Sequence, residues 1–68
     1  MRKALKEARA AKGLSVSELA GMLGVSPSIY YKWESGSRAP LLENARHIAC
    51  ILGKTIEELF FAYEQEAN

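Results

Sequence analysis

The sequence contains no aspartate, and only one histidine and one cysteine occur among its 68 residues. Enzyme sites usually combine several of these side chains, and no glycine-rich phosphate loop takes their place, so we do not expect catalysis. A single cysteine cannot form an internal disulfide, and an unpaired thiol is more typical of a reducing cytosol than of a secreted scaffold. These scarcities predict a cytoplasmic protein that is not an enzyme and needs no cofactor.

Long apolar runs are missing as well. Nowhere do about 18 apolar residues follow one another, so no membrane span is expected. The basic start at Met1, Arg2 and Lys3 lacks the apolar run that completes a signal peptide. A chain of 68 residues has room for one small domain. We place this domain at residues 1–63, followed by a loose tail at 64–68, with no room for a separate effector domain that binds a small molecule.

The charges are unevenly distributed along the chain, although the net charge is only +1. Residues 1–40 carry seven lysines and arginines against three glutamates, a balance of +4, while residues 41–68 carry two against five, a balance of −3. A basic front and an acidic back suit a protein that meets a polyanion with one side. Ordinary solvated helix faces would produce the same pattern.

Helical periodicity and capping residues, without any strand signal, predict five short helices. Their approximate ranges are residues 2–12, 16–23, 27–35, 41–52 and a last helix from 56 onward. Capping boxes that begin at Ser15 and Thr55 start the second and fifth helices. Gly24 and Gly36 end the second and third helices. Leu41 leaves the fourth helix without a capping side chain.

The second and third helices, residues 16–35, form the informative part of the chain. Only Gly24 and Val25 separate them, and so short a connection predicts a helix-turn-helix unit rather than an antiparallel pair. Apolar residues at helical spacing in all five helices predict one shared core. The predicted core residues are Leu5, Ala8, Val16, Leu19, Ala20, Leu23, Val25, Ile29, Tyr30, Trp33, Leu42, Ala45, Ile48, Ala49, Leu52, Ile56, Leu59 and Phe60.

At 100° per residue, the third helix directs one side of its surface towards the domain and the other side outwards. The outward residues are Pro27, Ser28, Tyr31 and Lys32. A hydroxyl, a phenol, an ammonium group and a helix N-terminus all suit phosphates and base edges. For Tyr31, the alternative is a surface aromatic without a ligand. We expect Glu34 to bond within the domain rather than to face an anion.

Short motifs follow one another in a fixed order through most of the chain. They are Lys12-Gly13-Leu14-Ser15, Ser17-Glu18-Leu19-Ala20, Leu23-Gly24-Val25-Ser26, Lys32-Trp33-Glu34-Ser35-Gly36, Arg38-Ala39-Pro40, Ala45 with Ile48-Ala49, Leu52-Gly53 and Thr55-Ile56-Glu57-Glu58-Leu59-Phe60. With this ordered set, residues 5–60 resemble the Cro/CI-type helix-turn-helix family of phage repressors and xenobiotic-response-element-like regulators. The resemblance implies an all-α, five-helix, lambda-repressor-like fold that binds double-stranded DNA and regulates transcription.

The resemblance also implies positions for DNA contacts, with the third helix lying in the major groove. Ser28, Tyr31 and Lys32 match positions that touch bases or nearby phosphates. The other positions, which match backbone contacts, are Ser15, Val16, Ser17, Ser26, Pro27, Ser37 and Arg38. The chain departs from the family pattern at Val16, where many members have glutamine, and at Pro27, which removes a donor. Tyr30 replaces isoleucine or valine, and Leu41 replaces a serine cap.

Three apolar residues, Ile51, Phe61 and Tyr63, lie at the edges of the last two helical stripes, where they would either complete the core or form a dimer contact. Related proteins often pair through their C-terminal parts. We therefore expect a homodimer on a palindromic operator, with repression favoured over activation. The alternative is a protein-interaction module, either antitoxin-like or a regulatory subunit, that keeps the fold without reading DNA.

Glu43, His47 and Cys50 recur at intervals of four and three residues, which aligns them on one stripe of the fourth helix. Three ligands on one exposed helix would make an open, weak metal site. A solvated face with an incidental thiol explains the same residues, so we expect no metal. A small metal or thiol sensor that uses His47 and Cys50 is the rival hypothesis.

Overall fold

Five α-helices make up the computed structural model, which describes residues 1–61. They are α1 (Lys3–Ala11), α2 (Val16–Leu23), α3 (Pro27–Ser35), α4 (Leu42–Leu52) and α5 (Ile56–Phe60). No strand occurs in this part of the chain, so the predicted all-helical fold class is confirmed. The end of the domain at residue 63 and the predicted tail at 64–68 lie outside the described residues. None of the helices in residues 1–61 is long and apolar enough to cross a membrane.

Both predicted capping boxes are present. The Ser15 hydroxyl accepts a hydrogen bond from the Glu18 amide at 3.0 Å, and the Glu18 carboxylate accepts one from the Ser15 amide at 2.8 Å. Thr55 and Glu58 make the same reciprocal pair at the start of α5. The backbone hydrogen bond from the cap residue lowers the pKa of each of these two glutamates. At the start of α4, Leu41 supplies no side-chain cap, as expected.

The turn between α2 and α3 depends on Gly24, whose φ of 74° and ψ of 26° are left-handed. The next amide, that of Val25, returns to the Ala20 carbonyl at 3.0 Å and closes the end of α2. Ser26 then caps α3 by accepting a hydrogen bond from the Ile29 amide at 3.1 Å. The two helices are therefore joined by the short turn that the sequence predicts.

The core is built around α3. This helix packs against α1 and α2, while α5 packs against α1 and α4 and closes the other side. Tyr30 is fully buried and Trp33 is 5% exposed, and their rings meet edge to face with centroids 6.1 Å apart. The buried apolar residues are Leu5, Ala8, Leu19, Ala20, Tyr30, Trp33, Ala45, Ile48, Ala49, Leu52 and Leu59. Each of them belongs to the core predicted from the sequence.

Two predicted core residues are exposed instead. Ile29 is 42% exposed because the buried side of α3 consists of Tyr30, Trp33 and Glu34. Since Glu34 takes the place predicted for Ile29, the centre of the buried side is rotated away from Ile29 by roughly 50° about the helix axis. Leu42, in the first turn of α4, is 66% exposed because it faces an open groove between α4 and α5. The other side chains predicted for the core are half-buried against it.

Truncation of Trp33 should destabilise the fold. We expect Trp33→Ala to lower the free energy of unfolding by about 3–5 kcal/mol, because the change removes most of a buried aromatic side chain and leaves a cavity. Urea denaturation monitored by circular dichroism measures the loss. Met22→Ala, at a position 51% exposed on α2, is the control and should change stability by less than about 0.5 kcal/mol. Equal stability of the two variants would contradict the burial of Trp33.

Candidate nucleic-acid interface

The outer face of α3 brings three predicted contact residues into one strip. Ser28, Tyr31 and Lys32 are all exposed, and Tyr31 is 50% exposed. Ser28 and Lys32 are one helical turn apart, and Tyr31 lies beside them. Pro27 is exposed at the first position of the same helix. The strip therefore offers a hydroxyl, a phenol and an ammonium group to whatever approaches this face.

Ile29 also belongs to this face, although the sequence pattern assigned it to the core. It lies one turn before Lys32 on the same side of α3. A branched apolar side chain at the edge of a recognition surface can contact the methyl group of thymine. The signal that could have revealed it is Glu34, whose predicted bonds inside the domain already imply an inward side rotated away from Ile29.

The starts of α2 and α3 point polar backbone groups at solvent. The hydroxyls of Ser15 and Ser26 serve as caps, so the first-turn amides at these ends carry the positive end of each helix dipole. Ser17 is exposed in the first turn of α2, whereas the Val16 side chain packs against the core. An anion at the start of α2 would therefore meet the Val16 backbone and not its side chain. Pro27 contributes no amide at the start of α3.

Beyond the end of α3, the chain folds back under the helix. The Lys32 carbonyl accepts hydrogen bonds from the Arg38 amide at 3.1 Å and from the Ser35 and Ser37 hydroxyls at 3.2 and 3.3 Å. The Ser37 hydroxyl is thus engaged with α3, while the Arg38 side chain is exposed. This loop places the backbone of Arg38 beside the Lys32 carbonyl, at the end of α3.

A buried ion pair fixes the orientation of α3. Arg9, on α1, donates to both carboxylate oxygens of Glu34 at 2.9 and 3.0 Å, and the Tyr30 hydroxyl donates to the same carboxylate at 2.7 Å. A third donor of Arg9 reaches the Leu14 carbonyl, in the loop before α2, at 2.7 Å. The predicted internal role of Glu34 is confirmed, since its side chain is only 2% exposed.

The network shifts the pKa of each of its members. Burial alone would raise the pKa of Glu34, but the hydrogen bonds from Arg9 and Tyr30 outweigh it and hold that pKa below its usual value of 4.5. The hydrogen bond to Glu34 raises the pKa of Arg9. Burial and the neighbouring Glu34 carboxylate raise the pKa of Tyr30. The pair is therefore ionised at neutral pH and Tyr30 keeps its proton.

These inward bonds decide the charge of the outer face. Glu34 is the only acidic residue of α3, so its burial leaves Lys32 as the one charged side chain on the exposed side of that helix. Two arginines of the basic front are committed internally, since Arg9 neutralises Glu34 and Arg2 donates to backbone carbonyls. The exposed positive charges in and directly after α3 are those of Lys32 and Arg38.

The remaining candidate residues lie elsewhere. Glu43, His47 and Cys50 are exposed on α4, and within residues 1–61 no three histidine, cysteine or acidic side chains come together as metal ligands. Ile51 is half-buried and packs against the core.

Phe61 is 45% exposed and lines a groove of about 340 Å³. The other residues that line it are apolar except for Arg2: Ala39, Pro40, Leu42, Ala45, Ile56 and Phe60. Tyr63 lies outside the described residues. Of the predicted dimer contacts in residues 1–61, Phe61 therefore lines this groove and Ile51 does not.

Comparison with known proteins supports the resemblance read from the motifs. The sequence model of a family described as helix-turn-helix matches residues 5–59. A protein from Aeropyrum pernix, provisionally named an HTH-type transcriptional regulatory protein, is 43% identical over 54 residues. That match covers 79% of this chain and 16% of the relative, so the chain spans about one sixth of the relative's length. No solved structure gives a significant match.

Removal of the Glu34 charge should destabilise the protein in a pH-dependent way. We expect Glu34→Gln to cost about 3 kcal/mol at neutral pH, because it leaves the Arg9 guanidinium without its partner. A glutamate whose pKa is lowered by folding adds stability above its unfolded value near 4.5 and loses it as pH falls further. The gap between wild type and variant should therefore narrow from pH 7 to pH 3.

Urea denaturation at each pH measures this gap. Glu7→Gln, at an exposed position on α1, provides the matched control and should stay within about 0.5 kcal/mol of wild type at pH 7. A gap that stayed constant down to pH 3, or a Glu34→Gln variant as stable as the Glu7→Gln control, would rule out the network as a source of stability.

Proposed function

The chain belongs to the Cro/CI-type helix-turn-helix family of DNA-binding transcriptional regulators, and from that membership we propose that it reads double-stranded DNA through α3. The observation that carries this proposal is the outer face of α3, where Ser28, Tyr31 and Lys32 are exposed together and the one acidic residue is buried. A helix of about 10–12 Å diameter fits the major groove, which is about 12 Å wide.

Each residue of the strip suits a different part of the groove. Lys32 can donate to guanine acceptors or to a phosphate, and Ser28 can donate to or accept from a base edge. Tyr31 offers a flat apolar surface to a thymine methyl group and a hydroxyl to a phosphate. Ile29 adds an apolar contact at the edge of the strip. These side chains would provide sequence discrimination.

Affinity would come mainly from the phosphates that flank the groove. At the α2 N-terminus, which begins at Ser15, a phosphate would meet the amides of Val16 and Ser17, since the Ser15 amide donates to Glu18. At the α3 N-terminus, capped by Ser26, a phosphate would meet the Ser28 amide. Arg38 would contact the strand at the other end of α3, where Ser37 holds its loop in place. In this arrangement, phosphates are bound at both ends of the recognition helix.

We propose further that the protein acts as a homodimer on a palindromic operator and represses transcription by occupying it. Two copies of α3 would enter successive major grooves about 34 Å apart. The exposed apolar residues Leu42 and Phe61, which line the groove between α4 and α5, support pairing through it. Leu42 and Phe61 are better placed for this contact than Ile51, which packs against the core.

The same groove is the observation that favours a second candidate, a module that binds another protein and not DNA. Its other support is the net charge of only +1. Binding to a duplex with a steep dependence on salt concentration separates the two functions, since a protein-interaction module has no phosphates to neutralise.

Loss of Lys32 should weaken DNA binding without unfolding the protein. A duplex recovered by selection from a random pool serves as the probe, and Lys32→Ala should lower affinity about tenfold at about 150 mM salt, since an interaction with a charged donor is lost. A phosphate contact would reduce the log–log salt slope by about 0.9. A base contact would keep the slope and relax preference at one position of the selected sequence.

Lys54→Ala removes the same charge at an exposed position just before α5 and is the matched control. It should bind within about twofold of wild type, because lone surface charges contribute little. Equal affinity of the two variants, with both folded, would remove Lys32 from the interface. Failure of wild type to select any duplex, even at low salt, would overturn the proposed function itself.

The dimer proposal predicts that a charge in the groove prevents pairing. Leu42→Lys should shift the monomer–dimer equilibrium towards monomer by at least about tenfold, because a buried unpaired ammonium is costly in an apolar interface. Met22→Lys makes the same change at another exposed apolar position and should leave the equilibrium unchanged. Sedimentation equilibrium over a range of concentrations measures both; a wild-type chain that stays monomeric at millimolar concentration would contradict the proposal.

A further inference from the structure

We propose that Arg2 is a positioning residue that ties the loop of residues 36–40 to the end of α3, and so holds Arg38 where it can meet the sugar–phosphate strand. This inference rests on the proposed function for the role of Arg38. The sequence motifs assign no role to Arg2, and its partners lie more than 30 residues away in the chain.

Three hydrogen bonds connect Arg2 to the far side of the domain. Its amide donates to the Glu34 carbonyl at 2.7 Å. One terminal nitrogen of its guanidinium, Nη1, donates both to the Trp33 carbonyl and to the Arg38 carbonyl, the latter at 2.8 Å. Arg2 therefore joins the last turn of α3 and the following loop through one side chain.

The end of α3 suits a guanidinium in particular. The last carbonyls of a helix have no partners within it and carry the negative end of its dipole, which favours a cation. The donors of a guanidinium are fixed in one plane, so a single side chain can bridge two acceptors that belong to different segments. A lysine retains the charge but offers its donors from a single point on a flexible stem.

The ring of Phe60 holds the guanidinium in place from α5. The central carbon of the Arg2 guanidinium lies 5.5 Å from the centroid of that ring, within the range of a cation–π contact. The Arg2 side chain is half-buried between these partners. Because its Nη1 protons point at two carbonyls, Arg2 acts on the loop and is not arranged as a phosphate ligand itself.

Arg38 is thereby held on both sides of its backbone. Its amide donates to the Lys32 carbonyl at 3.1 Å, and its carbonyl accepts from Arg2 at 2.8 Å. The Arg38 side chain, in contrast, is exposed. Without the Arg2 bridge, Ser37 would still bond to the Lys32 carbonyl and to the Ser35 hydroxyl. The Arg38 backbone, however, would be attached to α3 only through its amide bond to the Lys32 carbonyl, and the Arg38 side chain would sample many positions before binding.

A double-mutant cycle with Arg38 tests this dependence, with a duplex of about 20 base pairs selected by the wild-type protein as the probe. Arg38→Ala should lower affinity about tenfold, since it removes a charged donor. Arg2→Lys keeps the charge, breaks the bridge and should lower affinity about fivefold. The double variant should lose about tenfold, and not the fiftyfold of independent effects, because Arg2 acts through Arg38.

Lys3→Arg is the matched control, since it exchanges the same two residue types at the neighbouring exposed position and should bind within about twofold of wild type. Additive losses in the cycle, or full affinity for Arg2→Lys, would overturn the proposal. Additive losses would indicate that Arg2 meets DNA directly or alters the fold as a whole.

Amide hydrogen exchange gives a readout without DNA. Arg2→Lys should speed exchange of the Arg38 amide at least about tenfold, because its hydrogen bond to Lys32 opens more often. The Leu19 amide, which bonds to the Ser15 carbonyl in α2, should exchange as in wild type. Unchanged exchange at Arg38 would overturn the proposed tie. If the wild type bound no duplex, the proposed function would fail, and this exchange measurement would still decide whether Arg2 holds the loop.

Discussion

The contact between Arg9 and Glu34 determines how α3 is placed in this domain. Through one guanidinium, α1 is joined to α3 and to the loop that leads into α2, and the Tyr30 hydroxyl completes the set of donors around the carboxylate. A buried ion pair adds little net stability over a well-packed apolar pair, yet breaking it is costly. The network thus fixes one rotation of α3 about its axis, and that rotation determines which side chains of α3 are exposed.

The same rotation links packing to the electrostatics of the surface. With Glu34 turned inward, the exposed side of α3 carries the positive charge of Lys32 and no negative charge, and Arg38 follows just beyond the helix. Residues 1–40 therefore offer fewer positive charges for binding than their sequence contains, because Arg2 and Arg9 bond within the domain. Where the remaining charges lie matters more for a polyanion than their sum does.

The helices, their caps and the core could be predicted from the sequence, because capping boxes and a left-handed glycine such as Gly24 act within a few residues. The outer strip was predictable for the same reason. Ile29 was assigned wrongly because helical periodicity counts apolar residues and cannot weigh a buried glutamate that is paired with Arg9 on another helix. Leu42 was misplaced because its stripe extends beyond the helices that cover it. The partners of Arg2 lie beyond the reach of any local pattern, since they depend on how distant segments meet.

The separation of buried and exposed residues along α3 affects which substitutions the protein can tolerate. Tyr30, Trp33 and Glu34 hold the helix in the domain, whereas Ser28, Tyr31 and Lys32 take no part in the core. Substitutions in the second group leave the packing of the first group unchanged, so the chemistry of the outer face can change while the scaffold stays constant. The exposed residues and the buried residues of this nine-residue helix can therefore evolve at different rates.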